Sequence, residues 1–147
     1  MIWGIPKGPF WLGLAGLLPF LWGTFSMWFL IPGEAPLAWL PSRLFGPYVS
    51  IFYGTVILSF MSGVLWGFAT RSGYTRLYVL SVIPALWGFL MIGNGPVSAA
   101  ISLMIGFWAV LVLDYVFWQQ NLTPEWWMRL RGLLTVIVFL CLLTIVI

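Results

Sequence analysis

Long stretches of this chain hold no side chain that is charged at neutral pH. None occurs in residues 9–31, and none in residues 48–70. About 20 apolar residues suffice for a helix to cross the hydrocarbon core of a bilayer. A buried soluble core is the other way to hide such runs, and the rest of the sequence rules it out. Charged residues are 6% of the 147 and hydrophobic ones 63%, where soluble proteins carry about 25% and about 45–50%. Six Lys or Arg and three Asp or Glu cannot cover a water-facing surface. Lipid is the solvent such a surface suits.

Hydropathy marks five spans, at residues 9–31, 48–70, 77–93, 97–118 and 127–147. The sequence therefore predicts an all-α integral membrane protein, a five-transmembrane-helix bundle that forms a single transmembrane domain over residues 1–147. The third span is the shortest. The fourth holds one acid, Asp114, near its end. The first run outlasts the apolar region of about 7–15 residues in a signal peptide, so it is expected to stay as a helix. The lack of an Arg-rich transit segment before it favours a bacterial inner membrane over a mitochondrial one.

Basic residues set the direction. With a cytoplasmic N-terminus, Lys7, Arg71, Arg76, Arg129 and Arg131 all fall inside and only Arg43 outside. Cytoplasmic loops carry such an excess of bases. The C-terminus is then periplasmic, and an even number of spans would scramble the segregation.

The connections carry turn chemistry. Pro32-Gly33-Glu34 ends the first helix, and residues 35–47 are apolar enough to lie on the membrane surface. Gly93-Asn94-Gly95-Pro96 reads as a tight turn that makes the third and fourth helices an antiparallel hairpin. Thr123-Pro124-Glu125 reads as a helix start, with Thr as cap and Pro in the first position. That start places Trp126 and Trp127 at headgroup depth.

Small residues repeat every four positions on two spans: Ser59, Gly63 and Gly67, then Ser98, Ser102 and Gly106. Such stripes let helices approach closely in lipid, where no hydrophobic drive separates helix from solvent. Packing inside the chain is the first expectation, and contact with a partner protein the second. Pro19 and Pro84 lie inside spans, where each is expected to kink the helix and free a carbonyl one turn earlier, at Ala15 and Leu80. Those carbonyls need other donors, such as Ser81 or a water.

Chemistry is sparse. No histidine is present, and Cys141 stands alone, so no catalytic residue, cofactor ligand or metal site is expected and an enzyme is not. With no basic cluster or stripe, nucleic acid is not an expected partner. Asp114 is the one acid near a span, and an ionisable residue in a membrane is a functional candidate by default. Its place near the cytoplasmic end favours an interfacial ion pair that fixes its helix to a neighbouring loop, with Arg71, Arg76, Arg129 and Arg131 as candidate partners.

Three stretches carry a family likeness. They are Leu12-Gly13-Leu14-Ala15-Gly16-Leu17-Leu18-Pro19-Phe20, then Tyr53-Gly54-Thr55-Val56-Ile57-Leu58-Ser59-Phe60 with Gly63, Trp66 and Gly67, and Ser81-Val82-Ile83-Pro84-Ala85-Leu86. Asp114, Trp127, Arg129-Leu130-Arg131 and Leu134-Thr135 continue it. With these the chain resembles, over most of its length, the small membrane-protein family catalogued as domain of unknown function 3429, the transmembrane protein 69-like proteins. The resemblance implies membrane residence and supplies no activity. The family's spread over bacteria and mitochondria implies an accessory role near energy-converting membranes.

Two functional readings lead. The first is a non-catalytic accessory or assembly subunit that packs, in the bilayer, with other subunits of a larger energy-converting complex. The alternative is a binder of a small hydrophobic molecule (quinone, pigment, porphyrin or lipid), for which the eleven Trp would supply stacking surfaces. A transporter ranks last, because the spans hold too few polar groups to line an aqueous path.

Overall fold

The computed structural model describes residues 1–30 and 38–147. The expected helix end at Pro32-Gly33-Glu34 and the first residues of the 35–47 connection lie outside the described residues. Among the described residues six α-helices are formed, with a short 3-10 turn at Ser42–Leu44 before the third: α1 Lys7–Ala15, α2 Leu18–Phe29, α3 Gly46–Ala69, α4 Thr75–Met91, α5 Pro96–Gln119 and α6 Trp127–Val146. Among the described residues there is no strand. Four stretches are long and apolar enough to cross a membrane: Lys7–Phe29 (α1 with α2), Gly46–Ala69, Pro96–Gln119 and Trp127–Val146. The fifth, Thr75–Met91, is a shorter apolar helix.

The first span is two helices. Gly16 and Leu17 keep right-handed backbone angles but separate α1 from α2. Pro19 is therefore not in a helix interior and does not produce the expected kink. It stands in the first turn of α2, where its missing N–H had no helical partner to lose.

Helix α3 is the centre of the packing, against α2, α4 and α5. Its start is held by a side chain of α2: the Ser26 hydroxyl accepts from the Gly46 N–H at 2.8 Å and donates to the Gly23 carbonyl at 3.2 Å. Further along, Leu58 is fully buried between glycines of two neighbouring helices. A Cβ on Gly88 of α4 would lie 3.3 Å from Leu58, and one on Gly106 of α5 only 2.9 Å away. Gly54 opens a similar place for Leu103 of α5. Phe20 joins this core edge-on to Tyr53 at 5.3 Å and to Phe107 at 6.3 Å.

The small-residue stripes divide. Gly106 packs on Leu58 and Trp87, and the Ser102 carbonyl accepts the Trp87 indole N–H at 2.7 Å. That part of the α5 stripe meets α3 and α4, while Ser98 is exposed. Ser59, Gly63 and Gly67 do not pack inside the chain: all three are exposed, and a Cβ on either glycine would meet nothing within 4 Å. The reason is rotational. Ser62, Leu58, Leu65 and Ala69 face the neighbouring helices, and Ser59 and Gly63 each lie one residue on, about 100° round the helix.

At Pro84 the backbone repair comes from a neighbouring helix. The buried Ser62 hydroxyl of α3 accepts from the Ala85 N–H at 3.0 Å and donates to the Ser81 carbonyl at 2.5 Å. A straight helix would join those two groups directly. The carbonyl served is that of Ser81, not the expected Leu80, and Ser81 is not the donor: its hydroxyl bonds the Tyr78 carbonyl in its own helix, at 2.7 Å.

The hairpin turn forms as expected, with Gly95 at φ 106° immediately before Pro96 opens α5. Only glycine adopts that angle without strain. The expected start of the last helix is corrected. It begins at Trp127, after a turn in which the Trp127 N–H bonds the Pro124 carbonyl at 3.0 Å, and no side chain caps it.

Replacing Ser62 with Ala should destabilise the protein by about 1–3 kcal/mol, the usual cost of buried polar groups left without partners. In the background of Pro84→Ala, where α4 can close on itself, the same change should cost less than half as much. Unfolding of the four proteins in mixed micelles measures this coupling.

Candidate functional site

Asp114 lies five residues before the last residue of α5, about 7 Å of helical rise from that end. Its accessibility is zero. Helix α6 packs closely on α5, and Trp127 and Arg131, four residues apart, share one face of it. The Trp127 indole N–H donates to Oδ1 at 2.8 Å, and the Arg131 Nε–H donates to Oδ2 at 2.7 Å. Both carboxylate oxygens are thus met from successive turns of one helix.

Of the four arginines that the sequence offers as partners, Arg131 is the one that reaches Asp114, and it forms the only ion pair among the described residues. Arg71 donates to the Leu122 carbonyl at 3.3 Å, Arg129 to the Trp3 carbonyl at 3.1 Å, and Arg76 lies 5.3 Å from the centre of the Tyr74 ring. These contacts tie the α3–α4 turn to the α5–α6 connection, and the start of α6 to the N-terminal residues. The expected interfacial pair to a loop is therefore a buried pair between two helices. Trp127, expected at headgroup depth, turns inward because helix α6 starts beside Asp114.

The guanidinium is only partly used. Arg131 Nη2 is buried and has no hydrogen-bond partner among the described residues. The Thr135 Oγ1, one turn further along α6, is in the same condition. Arg131 and Thr135 are each only 5% exposed. Both line a cavity of about 330 Å³ enclosed by the first span, α3, α5 and α6. Its other walls include Gly13, Gly16, Leu17, Phe20, Tyr53, Phe60, Phe107 and Val138. Asp114 is not part of that wall. The guanidinium stands between the carboxylate and the cavity.

Gly13 and Gly16 stand on its wall. Gly13 lets α1 approach α6 closely, since a Cβ there would lie 3.1 Å from Leu134, and a Cβ on Gly16 would lie 3.7 Å from the Tyr53 hydroxyl. A larger hollow of about 650 Å³ lies beside α2, lined by apolar residues with Trp22. Its Trp22 indole already donates to the Leu44 carbonyl at 2.7 Å. No group of three or more His, Cys, Asp or Glu comes together among the described residues.

The Trp residues do not build the cavity beside Arg131. Seven of the eleven are exposed (Trp3, Trp11, Trp28, Trp39, Trp66, Trp108 and Trp118), and none lines it. Sequence reasoning missed Trp127 and Thr135 as companions of Arg131. The signal was present as their four-residue spacing.

Residues 5–147 match the family described as a protein of unknown function, DUF3429. The chain belongs to that family. Among curated proteins, Transmembrane protein 69 of Xenopus tropicalis is 32% identical over 143 residues, covering 90% of this chain and 51% of the relative. The chain thus spans about half the length of that relative. No solved structure matches it. The DUF3429 match takes in every residue of the paired site and of the cavity. With four long apolar stretches and a shorter fifth, this DUF3429 chain is a multi-pass membrane protein.

Asp114→Asn keeps an acceptor for Trp127 but leaves the Arg131 charge buried without a counter-charge. It should cost about 3–5 kcal/mol, the loss typical of breaking one side of a buried ion pair. The double change Asp114→Leu with Arg131→Met should cost clearly less than Asp114→Asn alone. Chemical unfolding in mixed micelles gives both values, and a double variant less stable than the single one would contradict the buried-pair account.

Proposed function

We propose that this chain is a non-catalytic, five-span membrane protein that acts as an accessory subunit, packed through α3 against other subunits of a larger complex in an energy-converting membrane. One observation carries this reading. Ser59, Gly63 and Gly67 form an exposed small-residue face on the helix that organises the rest of the bundle. Beside it stand the exposed Phe52, Val56, Phe60 and Trp66. In lipid, such a face offers close backbone approach and interlocking aromatic contacts to another helix.

The five-span reading also gives a direction. Arg71 and Arg129 are bonded into one end of the bundle, with Arg131 a turn inside it. Arg43 follows α2 and precedes α3, toward the other end. Placing the base-rich end in the cytoplasm agrees with the usual bias of membrane proteins. The absence of an expected nucleophile, base or metal cluster from the sequence supports a binding role over a catalytic one.

A second reading, binding of a small hydrophobic molecule, is favoured by the cavity beside Arg131 and Thr135.

Purification in a mild detergent should recover stoichiometric partner subunits, and Gly63→Leu with Gly67→Leu should release them while unfolding stability changes by less than about 1 kcal/mol, as for exposed substitutions. A clean monomer from native membranes would end the subunit reading. A periplasmic reporter fused after Ile147 should be active, and an inactive one would overturn the direction.

A further inference from the structure

We infer that the cavity beside Arg131 is a binding site for a neutral apolar molecule that carries a carbonyl oxygen, which accepts hydrogen bonds from the Arg131 guanidinium and the Thr135 hydroxyl. The inference rests on the second reading above and names its ligand class.

Two unpartnered donors stand one turn apart on α6. Arg131 Nη2 and Thr135 Oγ1 are buried, lack partners among the described residues, and belong to side chains that line one cavity. Leaving two such groups unmade in an apolar bundle is costly, and native proteins rarely do so without water or ligand nearby. A carbonyl oxygen has two lone pairs and accepts from both. Tyr53, also on the wall, offers a third donor, its phenol hydroxyl.

Charge selects between ligands. Asp114 already balances Arg131 at 2.7 Å. An anion would leave the site with one net negative charge inside a low-dielectric bundle, which is strongly disfavoured. A cation would meet the guanidinium and find no free acceptor charge. A neutral carbonyl compound uses the donors without adding charge. Water would satisfy the donors, but most of the wall is apolar, including Leu17, Phe20 and Phe107. A cavity of about 330 Å³ lies at the small end of the range of about 300–1,000 Å³ for ligand sites. Exposed Leu12 and Phe60 stand on its rim, so entry is from the lipid side.

Quinones and acyl esters share this chemistry, and the experiment separates them. The full chain in nanodiscs is titrated at pH 8 with decylubiquinone, with dioctanoylglycerol and with decanoate, and bound probe is counted by native mass spectrometry. At least one neutral probe should bind once per chain, more tightly than decanoate. Binding of decylubiquinone alone assigns the quinone class, and of dioctanoylglycerol alone the ester class. Thr135→Val removes an unpartnered hydroxyl at equal volume, so the ligand-free protein should stay as stable as the parent. Its affinity for the neutral probe should fall about five- to tenfold, the worth of one hydrogen bond. Val138→Phe, which fills the cavity from α6, should abolish binding in a folded protein. Unchanged affinity in Thr135→Val overturns the inference. Preference for decanoate that Val138→Phe abolishes overturns the neutral class and leaves a ligand site standing. No binding by any probe overturns both the inference and the reading beneath it.

Discussion

A carboxylate with no accessible surface cannot persist among apolar helices unless its charge and both oxygens are met. Here Asp114 is met from one helix, by Trp127 and Arg131 on successive turns. That requirement fixes more than a local contact. It sets the register of α6 along α5 and the rotation of α6 about its axis. By turning Arg131 toward the first span, it places Thr135 and Val138 on the cavity wall. A buried pair contributes little net stability compared with well-packed apolar residues. Its value lies in allowing one arrangement of two otherwise featureless helices. Hydrophobic pattern cannot do this in lipid, where every face of a helix is apolar.

Backbone satisfaction is the companion constraint. Water is absent from the hydrocarbon core, so a disturbed helix must find its donors and acceptors within the protein. Ser62 supplies both for Ala85 and Ser81 across the α3–α4 contact, and Ser26 does the same for the start of α3. Each hydroxyl therefore joins two helices at a defined height, as Arg131 does for α5 and α6.

The apolar helices, the hairpin at Gly95 and the crowding of bases at one end were legible in the sequence, because length, charge and turn chemistry are one-dimensional signals. Rotational information was not. Ser59, Gly63 and Gly67 have the same spacing as Ser98, Ser102 and Gly106, yet the first set faces outward while Gly106 packs inward. Nothing in a run that is apolar on every side tells which face is covered. Pro19 was misread for a related reason: a break at Gly16 and Leu17 made it the start of a helix. Asp114 could be picked out as the one acid near a span. Its partner could not be chosen among four arginines until the start of α6 was known, and the start moved from Thr123 to Trp127 because Pro124 closes a turn there. The cavity had no sequence signature, because its wall is drawn from the first span, α3, α5 and α6 and depends on how they are turned.

The shortness of α4 has a consequence for the membrane itself. Its 17 residues rise about 26 Å, below the roughly 30 Å of a typical hydrocarbon core. Its neighbours α3 and α5, with 24 residues each, rise about 36 Å. On the five-span reading, the bilayer is thinner beside the α4 edge than elsewhere around the protein. A step in thickness along one side makes that edge a preferred meeting place for other short helices, which relieve the same mismatch by gathering there.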